Sequence, residues 1–235
     1  MKVVLFFIAL IAITMLSVPM ITACKKTEST PPSFSASEII DNTGERISKV
    51  KSFHFEITHV GGGTPLVEGL EMVEARGDIV KPGRLKVSIS AKMGIMFVEV
   101  DIITVGKTTY MTNPLNKEWE LLTSEFSAIS IFDPDTSISA ILKDMTDLTR
   151  LDDGKIDAIS CYHIKGKVPC ESLRAITLSS IEGVEIDVEV WISKEEFLLH
   201  QIKLEGKITD TEKPGIVREI RLSDFDQELE IELPR

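Results

Sequence analysis

Glu185-Ile-Asp-Val-Glu-Val-Trp-Ile192 and Leu199-His-Gln-Ile-Lys-Leu204, parted by the polar stretch Ser193-Lys-Glu-Glu196, decide how this chain folds. In the first run Ile186, Val188, Val190 and Ile192 alternate with Glu185, Asp187, Glu189 and Trp191; in the second, Ile202 and Leu204 flank Lys203. A period of two sends apolar side chains to one face of a strand and polar ones to the other. That is the pattern of an antiparallel sheet with one dry and one wet face.

Working outward, the same pattern recurs. Phe53, Phe55 and Ile57 oppose His54, Glu56 and Thr58, and Leu85, Val87, Ile89 and Ala91 alternate with Lys86, Ser88 and Ser90. Val98, Val100 and Ile102 oppose Phe97, Glu99 and Asp101, while Ile216, Arg218, Ile220 and Leu222 nearly complete the set. Turn residues separate these runs at Gly61-Gly62-Gly63, Lys81-Pro82-Gly83, Asn113-Pro114 and Asp152-Asp153-Gly154.

Two segments read as helices. Ser35-Ala-Ser-Glu38 has capping-box spacing, and Ile39, Ile40, Thr43, Ile47 and Val50 follow at helical intervals. A second helix is expected to begin near Asp133-Pro134, with Ile138, Ile141, Leu142, Met145 and Leu148 as one stripe. The predicted fold is α+β: a curved antiparallel sheet, a half-barrel, with helices over its concave apolar face. So large a one-sided sheet curls, and its dry face needs a cover.

Composition fits this class. The 235 residues are 43% hydrophobic and 27% charged, with a net charge of -11. Such a balance supports a packed core and excludes collagen-like, coiled-coil and wholly disordered chains. Acidity argues against nucleic acid as a partner, because phosphate binding needs a clustered cationic face. Three cysteines are too few for a disulfide scaffold.

The N-terminus reads as a processing signal. Met1-Lys2 precedes an apolar run from Val3 to Val18, short for a membrane span of roughly 20 residues. Ile21-Thr22-Ala23-Cys24 then resembles the bacterial lipobox, which implies cleavage before Cys24 and lipidation of its sulfur. The expected organisation is a signal over 1–23, a lipidated Cys24 and polar tether over 24–34, and a single domain over 35–235. Two or three acyl chains on one cysteine anchor stably where one chain holds marginally. The expected location is therefore extracytoplasmic, lipid-anchored to the cell membrane.

The order of elements, with Phe132-Asp133-Pro134, Tyr162-His-Ile-Lys-Gly166 and Trp191-Ile-Ser-Lys194, resembles the LppX/LprA/LprF/LprG family of bacterial lipoproteins. That family is similar in fold to the LolA/LolB lipoprotein carriers. The resemblance implies an apolar cavity that holds acyl chains of lipids or glycolipids, and help in moving them across the cell envelope. It implies a lipid or glycolipid ligand, a membrane reached through the anchor and a possible envelope transport partner. It brings no catalytic motif. A monomer with no cofactor is expected.

Acyl chains offer area and little else, so a lipid site needs a concave apolar lining. The inward positions supply one: Phe55, Ile57, Val87, Ile89, Val98, Val100, Ile102, Ile186, Val188, Val190, Ile202 and Leu204, with Ile138, Ile141, Leu142 and Met145 as a lid. Met93 and Met96, beside Gly94, suit a deformable mouth. The same residues serve equally as plain core. In that case the chain is a non-enzymatic interaction or regulatory lipoprotein with a collapsed cavity and an acidic outer face.

Catalysis and metal binding have little to stand on. No nucleophile elbow, Walker loop, dinucleotide fingerprint or His-Glu-x-x-His occurs. His54 and His59 fall on opposite faces of one strand, and Cys161 with His163 makes two ligands where a metal needs three or four. His200 is expected on the apolar face, near a headgroup or bonded in the core. Asp153 to Gly166 reads as a strand. Cys161 and Cys170 can bridge only if the chain reverses between them, which one continuous strand over 156–168 would forbid. No enzyme activity is expected.

Overall fold

The structure, a computed structural model, describes residues 34–67, 69–122, 137–177 and 179–234. The signal, Cys24, the tether up to residue 33 and Phe132-Asp133-Pro134 lie outside the described residues. Phe34–Arg235 forms one compact unit.

Helix α1 spans Ala36–Lys49 and starts as its sequence specifies. The Ser35 hydroxyl accepts from the Glu38 backbone N–H at 3.3 Å, and Glu38 accepts from the Ser35 N–H at 2.8 Å. Ile39, Ile40, Thr43 and Ile47 form its buried side. Strands follow: β1 (Ser52–Val60), β2 (Thr64–Val67), β3 (Leu70–Val80), β4 (Arg84–Met93), β5 (Met96–Val105), β6 (Thr108–Thr112) and β7 (Trp119–Leu121). After α2 (Ile138–Asp144) come β8 (Thr146–Arg150), β9 (Gly154–Ile156) and β10 (Ile159–Pro169). A short 3-10 turn and helix α3 (Arg174–Thr177) lead to β11 (Glu185–Ser193), β12 (Leu199–Glu205) and β13 (Val217–Ser223).

The described strands form one antiparallel 13-stranded sheet in the order β7-β6-β5-β4-β3-β1-β13-β12-β11-β10-β8, with β2 on β3 and β9 on β10. Pairing of β1 with β13 joins the two halves, placing Phe55 opposite Leu222 and Ile57 opposite Ile220. The alternation predicted from the sequence is the alternation seen: Leu85, Val87, Ile89 and Ala91 are buried while Lys86 and Lys92 are not. The open curved sheet with helices on its inner face is the predicted fold.

Three local expectations are corrected. The stripe from Ile138 to Leu148 is not all helix: α2 ends at Asp144, Met145 is extended, and Leu148 lies on β8. Strand β8 docks where β10 carries Gly166, whose Cβ, if present, would stand 2.8 Å from the Thr146 carbonyl oxygen. A strand this close to bare backbone competes successfully with one more helical turn. Asp153 to Gly166 is likewise not one strand. Asp157, at φ 53°, turns β9 into β10.

The third correction concerns His200. Between β11 and β12 the register shifts, so that Ile192 faces Leu199 and Trp191 faces Gln201. The bulge makes His200 the extra residue and turns it off the inner face.

Candidate functional site

The inner face collects almost every residue expected to line a cavity. Phe55, Ile57, Val87, Ile89, Val100, Ile102, Ile186, Val188, Val190, Ile202 and Leu204 are all buried in one core cluster, and Val98 packs against it half-buried. Ile138, Ile141, Leu142 and Met145 belong to the same cluster from the helix side. The sheet thus brings residues from β1 to β12 onto one apolar surface, and α1 and α2, in contact with each other, cover it. Burial of each large aliphatic side chain contributes about 1.5–3 kcal/mol, so this surface also dominates stability.

At the centre of that surface Phe53, Phe55, Ile57, Ile220 and Leu222 of the sheet face Ser137, Ile138 and Ile176 across a gap of about 20 Å³. A gap of that size takes about one water molecule, whereas ligand pockets run to about 300–1,000 Å³. Between these residues the inner face is closely packed.

One end of the inner face is polar, a feature the alternation hinted at only through Arg218. Arg218 is 1% exposed and sits directly across from His59 and Leu204. Its guanidinium pairs with Glu212, which also accepts from the backbone N–H groups of Ile208 and Thr209 at 2.7 and 3.2 Å. The Arg218 Nε donates to Thr64 Oγ1 at 3.1 Å, and Thr64 Oγ1 lies 2.8 Å from His59 Nε2. His59 Nδ1 lies 3.0 Å from the Val73 carbonyl, which only accepts, so Nδ1 carries the proton and Nε2 accepts from Thr64. Burial pushes the His59 imidazole down to about 4, helped by the nearby Arg218 charge and opposed by the Val73 bond. The loop after β12 is thereby tied onto this end of the sheet.

The remaining candidates lie elsewhere. His54 pairs with Asp78 at 2.8 Å, and His163 lies 2.7 Å from Glu189 while stacking on Trp191 at 4.2 Å. Burial pushes the Glu189 carboxyl up, but His163 and Lys203 hold it below its ordinary value. His200 meets Phe225 edge-on at 5.4 Å and lines outer grooves with His54, Arg221 and Asp224. Cys161 and Cys170 are both free and buried, at opposite parts of the continuous strand β10 and its end. Burial raises both thiols. Among the described residues no three His, Cys, Asp or Glu side chains converge as metal ligands, and no helix is long and apolar enough to cross a membrane.

An open antiparallel sheet with a helix-covered apolar inner face is a fold shared with solved bacterial lipoproteins. The chain matches the LppX_LprAFG lipoprotein family over residues 35–231 and belongs to it. Among solved structures it is similar to LprF from Mycobacterium bovis, with 16% identity, a TM-score of 0.67, and 86% of this chain and 98% of that one covered. It is also similar to the lipoprotein LppX from Mycobacterium tuberculosis, with 16% identity, a TM-score of 0.58, and coverage of 84% and 98%. At these identities the likeness establishes the shared fold. No curated protein sequence matches the chain.

Proposed function

We propose that this protein is a lipid-anchored extracytoplasmic lipoprotein that takes acyl chains of lipids or glycolipids onto its inner apolar face and helps to transfer them across the cell envelope. The observation that carries the reading is the continuous apolar surface from β5 through β11, covered by short helices instead of a second sheet. Helix α2 has only seven residues, so it is a cover that can part from the sheet. Family membership supports the same reading. The anchor at Cys24 follows from the lipobox-like Ile21-Thr22-Ala23-Cys24.

A second reading draws on the closed gap of about 20 Å³. On it the inner face is permanent core, and the acidic outer face of β11 contacts a protein partner. Placing Trp at Ile138, beside the gap, separates the two. The carrier reading expects lipid retention to fall at least tenfold while the far-ultraviolet circular dichroism stays native. Unchanged retention in a folded Ile138→Trp protein would remove this part of the inner face from the site.

A further inference from the structure

The hairpin between β4 and β5 ends in Met93-Gly-Ile-Met-Phe97, five residues without a charge. Ile95 is 96% exposed, Phe97 71%, Met96 54% and Met93 41%. Beside it, the turn after β6 presents Leu115, and Lys117 ties that turn to β5 by donating to the Glu99 carbonyl at 2.8 Å. Contiguous exposed apolar side chains on a protein surface mark a contact site.

The hairpin is also continuous with the inner face. Ile89 pairs with Val100, Ala91 with Val98 and Met93 with Met96, so inward-facing apolar pairs run from the core out to the tip. The backbone at Met93 and Met96 is already paired, which leaves few amide groups stranded in an apolar medium. Two methionines and a glycine on a convex projection suit a fluid partner better than a shaped protein groove. The surrounding charge is mainly acidic, with Glu71, Glu99, Glu118 and Glu120 against Lys92 and Lys117, so attachment there is apolar and not electrostatic.

The tip and Phe34 lie at opposite ends of the sheet. One cross-strand row runs Gln201–Arg221–Glu56–Arg76–Ser88–Asp101. The β4–β5 tip lies beyond one side of it; the turn between β11 and β12, holding Phe197, lies beyond the other. Phe34, where the domain begins, packs on Phe197 with ring centroids 5.3 Å apart. Phe34 therefore lies at the end of the domain remote from the tip.

We infer that the Met93–Phe97 hairpin inserts into a lipid bilayer opposed to the one that holds the N-terminal anchor, making the tip the docking element for a second membrane. Which membrane faces the tip rests on the anchor reading given above; insertion itself does not. The test uses the full chain carrying Ile95→Trp on phosphatidylcholine vesicles, mixed with anchor-free phosphatidylcholine vesicles containing brominated acyl chains. Fluorescence is taken as the difference from the wild-type chain, which holds Trp119 and Trp191. The expected result is quenching by at least a third when the brominated lipid is in the second vesicles, insensitive to salt. Adding Phe97→Asp should abolish it, with circular dichroism unchanged. Quenching only by bromolipid placed in the carrying vesicles, or no quenching from either, would overturn the inference. Flotation of the protein with the carrying vesicles reports the anchor separately.

Discussion

Arg218 and Glu212 form an ion pair with side chains only 1% and 0% exposed, at the polar end of a sheet face lined mainly with apolar groups. The pair closes the loop between β12 and β13 over one end of the inner face, because Glu212 also holds the Ile208 and Thr209 amides. Removing one partner leaves a buried charge alone, which costs about 3–5 kcal/mol. Glu212→Ala is therefore expected to lower the unfolding free energy in urea by that amount. Replacing both, as Arg218→Met with Glu212→Leu, is expected to recover most of the loss. Equal losses in the single and double variants would contradict the buried-pair account.

His59 gives this end of the sheet a pH dependence. Its folded-state value of about 4 lies below the ordinary 6.5, so between those values the unfolded chain binds the extra proton. Stability contributed by neutral His59 is complete above about pH 6.5 and is lost as pH falls toward 4, up to about 3 kcal/mol. His200, also pushed down by burial, acts in the same direction. Asp153 and Asp226, held below their ordinary values, lose their contributions only at more acidic pH. Urea midpoints measured from pH 7 to 4 should fall steadily, and His59→Gln should flatten that slope. A slope unchanged by His59→Gln would rule out its neutral buried state.

The helix cover is predicted to be the weak side of the core. Ile141 on α2 is fully buried. Ile141→Ala is expected to cost about 2–5 kcal/mol and to widen the space under the cover. Binding of an apolar fluorescent dye to the native protein should rise several-fold. A comparable truncation on the opposite wall, Val188→Ala, should destabilise with a smaller rise in dye binding, because two paired strands hold that position.

Cysteine chemistry distinguishes anchor from core. Cys161 and Cys170 are free and buried, so they should react slowly with a thiol reagent in the native protein and at once in denaturant. Membrane-extracted protein should then titrate two thiols, Cys24 being acylated. Three thiols would contradict the anchor.

Much of this was legible in the residues. Strict alternation in Ile186–Ile192 and Leu85–Ala91 fixed which side chains face inward, since the strand period leaves no freedom once one face is apolar. The capping box fixed the start of α1. The end of α2, the β9–β10 turn and the His200 bulge were not legible. Each depends on a partner strand: β8 on the bare backbone at Gly166, β12 on the register of β11. Likewise Arg218 announced itself as a charge in an inward position, but Glu212 sits in a loop without periodicity and His59 on a strand where its face looked ordinary. Inward positions are local information, and whether they enclose a space depends on how helices seat over the sheet.

The most direct test of the lipid-carrier account is the mass of the native protein. The full chain would be extracted from membranes in mild detergent and weighed first under native conditions, then after denaturation, with released lipid identified. A carrier gives a native excess of one acylated molecule per chain, beyond any covalent lipid on Cys24, which would survive denaturation. Equal masses, still equal after incubation with membrane lipids, would show an inner face that is only core.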